Sequence, residues 1–171
     1  MSKAVSTPVK EKTRAAGTAA APVDLGLLPG HYIRRLQQIA VAIFLQETSA
    51  QGVTPVQFAA LQTIASNPGI DQRTLAGMIG FDTSTIAGVI DRLQARGLML
   101  RSPSPDDRRV RRLTLSDEGA SVLADMVPAV LQAQVRMLDP LNPRERAEFM
   151  RMLQMLVNAN NDLSRAPSEA D

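Results

Sequence analysis

The chain has 171 residues, 44% of them hydrophobic and only 3% aromatic, which is enough apolar mass for one domain with a buried core. Its wealth of Leu, Ala, Met and Ile over aromatic residues favours helices packed on helices. With a formal net charge of +2, one histidine and no cysteine, it excludes disulfides, thiolate zinc sites, cysteine redox chemistry and a histidine-based metal cluster.

The first 23 residues are rich in Ala, Thr, Lys and Pro and read as a disordered arm. No apolar run reaches membrane length and no signal-type apolar stretch opens the chain, so a soluble, cytoplasmic protein is expected. A helical pattern begins near Leu28: Ile33, Leu36, Ala40, Ile43 and Phe44 recur at spacings of three and four. Gly52 marks its stop. A second helix opens on Thr54 as N-cap with Pro55 in the first helical position, burying Phe58, Leu61 and either Ile64 or Ala65.

"IDQRTLAGMIGF" predicts a short helix with Leu75, Ala76 and Ile79 inward and Gly80 at its end. "DTSTIAGVIDRLQARG" predicts a second one, capped by Asp82, closed at Gly97 and striped by Ile86, Val89, Ile90 and Leu93. Two short helices around a tight turn have the layout of a helix-turn-helix. "LMLRS" and "RRVRRLTL" then read as two strands around the polar tip "PSPDD", forming a β-hairpin wing. Ser116 caps a long helix with Asp117 and Glu118 in its first turn, and Pro128 inside it is expected to kink it. Asn142 and Pro143 open the last helix, with Phe149, Met152, Leu153 and Leu156 as its stripe, before a polar tail. The fold class is therefore mainly α with a small β-wing.

The chemistry concentrates in the second helix of the pair and in the wing. Thr83, Ser84 and Thr85 are small hydrogen-bonding residues at a helix N-terminus, able to bond phosphate oxygens and to meet thymine methyls. Ala87 and Gly88 continue that face with almost no bulk. Arg92 and Arg96 follow on the same helix, Arg101 begins the wing, and Arg108, Arg109, Arg111 and Arg112 lie at or just past its tip. A basic face on a nearly neutral chain suits DNA, whose affinity comes largely from releasing phosphate counterions. The competing reading is a helical protein-interaction module whose basic hairpin binds an acidic partner. An enzyme lacks support: there is no nucleophile–base pairing, phosphate loop or metal-ligand spacing, and Asp106 and Asp107 sit beside arginines.

The segment "STIAGVIDRLQARGLMLRSPSPDDRRVRRLTLSDEG" resembles the signature of the MarR family of bacterial transcription regulators, and the order of elements agrees over roughly residues 27–160. The resemblance implies a winged-helix homodimer whose first and last two helices form the dimer interface and whose recognition helices each enter a major groove of a pseudo-palindromic operator. It divides the chain into an arm (1–23), a dimerisation helix (24–53), a DNA-binding lobe (54–115), dimerisation helices (116–162) and a tail (163–171). It also gives Arg109 the minor groove and Asp107 the task of holding the wing. One departure is Gly88, where many members carry an arginine or another polar residue.

Members of the family commonly respond to small aromatic ligands, without a cofactor in the enzymatic sense. His31, Tyr32, Arg34, Arg35, Gln38 and Phe44 on the first helix offer polar groups beside apolar ones, suited to an anionic aromatic effector. "LLPGHYIRRLQQIAVAIFLQE" also resembles the subgroup controlling aromatic-acid catabolism, some of whose members respond to aromatic acyl-CoA thioesters. Paired arginines suit CoA phosphates; the alternative is that Arg34 and Arg35 are solvated or form dimer salt bridges.

Overall fold

The computed structural model describes residues 23–105 and 110–163. The expected arm, the polar tail from residue 164, and the wing-tip residues Asp106, Asp107, Arg108 and Arg109 lie outside them. Six helices and a three-stranded sheet follow one another: α1 (Pro29–Glu47), α2 (Pro55–Ser66), β1 (Ile70–Asp71), α3 (Gln72–Ile79), α4 (Thr83–Ala95), β2 (Met99–Pro103), β3 (Arg111–Leu115), α5 (Asp117–Met137) and α6 (Pro143–Ala159). A short 3-10 turn precedes α1 at Leu25–Leu27 and another follows α6 at Asn161–Leu163.

Local chemistry sets the helix starts. Thr54 accepts the Gln57 amide while the Gln57 side chain accepts the Thr54 amide, a reciprocal capping box, and Asn142 and Glu145 repeat it at α6. Asp71, Asp82 and Ser116 cap α3, α4 and α5 from one side, each accepting the backbone amide three residues on. Gly80 and Gly97 end α3 and α4 at φ +73° and +72°, a conformation in which a Cβ would be strained. Helix α5 runs unbroken through Pro128.

One core joins the elements from Phe44 to Val130. Ala60, Leu61, Ile64, Leu75, Ala76, Ile86, Ile90, Leu93 and Met126 are completely enclosed. Each fully buried Leu or Ile stabilises the fold by roughly 1.5–3 kcal/mol. All four predicted α4 residues are buried, and on α2 it is Ile64, not Ala65, that faces in.

The sheet differs from the two-stranded wing expected. Ile70 and Asp71, read from sequence as the opening of a helix, pair antiparallel with Leu113 and Arg112, so the order is β1-β3-β2. A strand of two residues is too short to show alternation, and it is the neighbouring β3 that recruits it. In the hairpin, Met99 faces Leu115 and Pro103 faces Arg111.

Helix α1 packs along α5, and the Arg136 guanidinium meets Glu47 at 2.9 Å near their C-terminal ends. Helix α5 begins against the chain leaving α4. Ser116 Oγ donates to the Gly97 carbonyl at 2.5 Å, and its amide donates to the Leu98 carbonyl at 3.3 Å. Gly119 lies so close that a Cβ there would overlap the Leu98 carbonyl oxygen. Helix α6 buries no residue, and Met152, Met155, Leu156 and Val157 are largely exposed, as are Leu131 and Val135 on α5.

Candidate nucleic-acid interface

The exposed start of α4 is organised by one carboxylate. Asp82 accepts the Thr85 amide at 2.8 Å, the Thr85 hydroxyl at 2.7 Å and the Ser84 hydroxyl at 2.5 Å. The Ser84 hydroxyl, then those Thr85 donors, hold the Asp82 carboxyl well below the usual carboxylate range. Ser84 and Thr85 therefore spend their hydroxyl protons on the cap and keep lone pairs and the Thr85 methyl for an outside contact. Thr83 is exposed, and its hydroxyl has no partner among the described residues. Its carbonyl accepts the Gln72 side-chain amide at 3.1 Å, which ties the first turn of α4 to the first turn of α3. Gln72 leaves no local signal in the sequence, because the bond spans eleven positions.

Further along, the Arg92 guanidinium folds back over Gly88, 3.5 Å from where a Cβ would stand. Helical side chains lean toward the N-terminus, so a residue one turn later covers the bare position. Arg92 is exposed, and its guanidinium makes no hydrogen bond or ion pair among the described residues. Ala87 and Gly88 are half-buried beside it.

The other arginines differ in how they are spent. Arg101, half-buried at the base of the wing, pairs with Asp91 of α4. Arg96 donates to the Gly52 and Gln51 carbonyls at 2.8 and 2.9 Å. In the sequence both belong to the basic face, because their partners lie ten and forty-four or more positions away. Arg111 is exposed on β3 opposite Pro103, and its guanidinium has no partner among the described residues. Beyond that pair the Ser104 amide donates to the Val110 carbonyl at 2.9 Å, closing the base of the tip that carries Asp107, Arg108 and Arg109.

The residues singled out on α1 are not all together. His31 and Tyr32 meet edge-on at 5.6 Å between ring centroids, and Arg34 donates to Gln38 at 3.0 Å. Arg35 is exposed beside them. Phe44 lies apart, buried in the core with its ring 6.0 Å from that of Phe58. Among the described residues no group of three or more His, Cys, Asp or Glu could hold a metal, and no helix is long and apolar enough to cross a membrane.

Residues 53–110 match the MarR family. The transcriptional repressor NicR of Pseudomonas putida is 30% identical over 82% of this chain and 89% of its own. The transcriptional regulator PcaV of Streptomyces coelicolor, solved with its natural ligand, superposes with a TM-score of 0.77 at 37% identity, covering 81% of this chain and 98% of PcaV. The repressor CouR, solved on a 23-mer DNA duplex, gives 0.74 at 30% identity, covering 78% of this chain and 94% of CouR. CouR has also been solved with p-coumaroyl-CoA. A helix-turn-helix with a wing, flanked by long helices and matched at this identity over most of its length, leaves one assignment: the chain belongs to the MarR family of transcription regulators.

Proposed function

We propose that this chain is a homodimeric repressor that binds a pseudo-palindromic operator and is released by a small aromatic effector or its acyl-CoA thioester. One observation carries the reading: the first turn of α4 is exposed and preorganised by Asp82, and an uncommitted Arg92 lies on the same helix beside the wing. In this reading Thr83, Ser84, Thr85, Ala87 and Gly88 form the surface entering the major groove. Arg92 supplies its guanidinium fork, a shape suited to guanine O6 and N7. Arg111 and Arg108 bind phosphates, Arg109 enters the minor groove and Asp107 holds the tip. Arg101, through Asp91, keeps the base of the wing against the recognition helix.

The effector reading rests on His31, Tyr32, Arg34, Arg35 and Gln38, two rings beside two guanidinium groups on one helix. Phe44 supports that helix from the core. The ligands of related regulators, a natural ligand for PcaV and p-coumaroyl-CoA for CouR, make aromatic acids and their thioesters the first compounds to try. Such a regulator does no chemistry of its own and works in the cytoplasm, where its operator is.

The test is a mobility-shift titration of the chain with duplex from its own promoter region. A retarded complex at low salt, weakened by added salt along a log–log line, is expected. The absence of any complex at low salt sinks the reading in favour of an acidic protein partner. Compounds that raise the melting temperature of the free protein are then expected to dissolve the complex.

A further inference from the structure

We propose that Arg96 is a positioning residue for operator recognition: it locks the C-terminal end of α4 to the loop that joins the dimerisation helix α1 to α2 and so sets the angle at which the recognition helix is presented. The inference rests on the operator-binding reading above and adds a residue that touches no DNA.

The loop that receives Arg96 is firmly held. Thr48, 1% exposed, donates its hydroxyl to the Phe44 carbonyl at 2.8 Å, and Val53, also 1% exposed, enters the core. Between these anchors Gly52 turns the chain at φ +58° and leaves two successive carbonyls, those of Gln51 and Gly52, directed at one guanidinium. Arginine suits this task because its fork offers parallel donors, whereas a lysine ammonium reaches one carbonyl well. The Arg96 amide also closes α4 on the Arg92 carbonyl, so the residue that ends the helix is the one that moors it.

The next two residues are moored from the other side. The Gly97 and Leu98 carbonyls accept from Ser116, and Gly119 packs against Leu98. Residues 96–98 are thus held between the loop that follows α1 and the start of α5, and Arg136 and Glu47 join α5 to α1. At the opposite end of α4, Gln72 is the cross-helix hydrogen bond from α3. The heel of the recognition helix, its C-terminal end, is held by these bonds, and its toe, the N-terminal end, is seated by the buried Ile86 and by Gln72. The helix's 13 residues make a lever of about 20 Å, so a tilt of about 10° at the heel moves the groove-facing turn by about 3 Å. Movement of α1 therefore reaches the DNA-reading turn through Arg96.

The chain has no cysteine, so a Met78→Cys background carries one spin label per protomer, on the exposed end of α3 next to the toe of α4. In that background we compare Arg96, Arg96→Lys and Arg96→Ala by label-to-label distance in the free dimer and by operator affinity across a salt series. Arg96→Ala is expected to broaden the distance distribution and to weaken operator binding about tenfold. The slope of affinity against salt should not change, since no phosphate contact is lost. Arg96→Lys should fall between. A slope smaller by about one would make Arg96 a phosphate ligand and overturn the proposal. So would distances and affinity unchanged in Arg96→Ala. Failure of the wild-type chain to bind any duplex would instead refute the proposed function, so the two failures are distinguishable.

Discussion

The winged-helix lobe and the terminal helices solve the burial problem differently. The lobe closes on itself: α2, α3, α4 and the sheet enclose Leu61, Ile64, Leu75, Ile90 and Leu93 completely. Helix α6 encloses nothing and leaves Met152, Met155, Leu156 and Val157 in the open, while α5 turns Val127, Leu131 and Val135 outward at intervals of one turn. An apolar stripe of that size on an isolated chain marks an interface. The difference teaches that one protomer contains a finished reading head and an unfinished handle, the face on which the homodimer proposed above would close.

The contrast can be broken from either side. Leu93→Ala, in the finished half, should cost about 2–5 kcal/mol of unfolding free energy, because the lobe cannot collapse around the cavity. Denaturant titration measures it, and a cost below about 1 kcal/mol would mean the lobe core is looser than described. In the unfinished half, Met152→Glu combined with Leu156→Glu should leave each protomer folded but separate. Operator affinity should then drop about a hundredfold as bivalent docking is lost. Sedimentation beside circular dichroism distinguishes this from unfolding, and a dimer of unchanged stability would remove α6 from the interface.

On the DNA-facing surface of the reading head the effects are smaller. Arg109→Ala should weaken the operator complex about tenfold and reduce the salt slope by about one, as a lost groove and phosphate contact requires. Binding that is unchanged would deny Arg109 the minor groove. The smallest effect concerns the Asp82 cap. Its folded carboxyl is held below the ordinary range, so the stability it adds is fully present above about pH 4 and fades as acid protonates the folded form. Asp82→Asn should therefore melt slightly below wild type at neutral pH, and the gap should close only well below pH 4. A gap that widens with acid would contradict the cap.

Sequence and structure agree most where the cause is local. The caps at Thr54, Asp82, Ser116 and Asn142 were legible because a capping side chain and its amide lie within three residues. The stripe of Ile86, Val89, Ile90 and Leu93 was legible because helical periodicity is itself local. What escaped was non-local. Strand β1 exists only because β3 lies beside it. Arg96 and Arg101 looked like Arg92 in the sequence, yet two are consumed inside the molecule and one is not. Phe44 fitted an effector site by type and spacing, but the partner that fixes it, Phe58, belongs to the next helix.

The most direct test of the finished head and unfinished handle is the mass of the complex with a single operator duplex, measured by sedimentation equilibrium. Two chains per duplex are predicted for the wild type, and no complex of comparable affinity for Met152→Glu/Leu156→Glu. One chain per duplex at full affinity would contradict the account, since the reading head would then need no second copy.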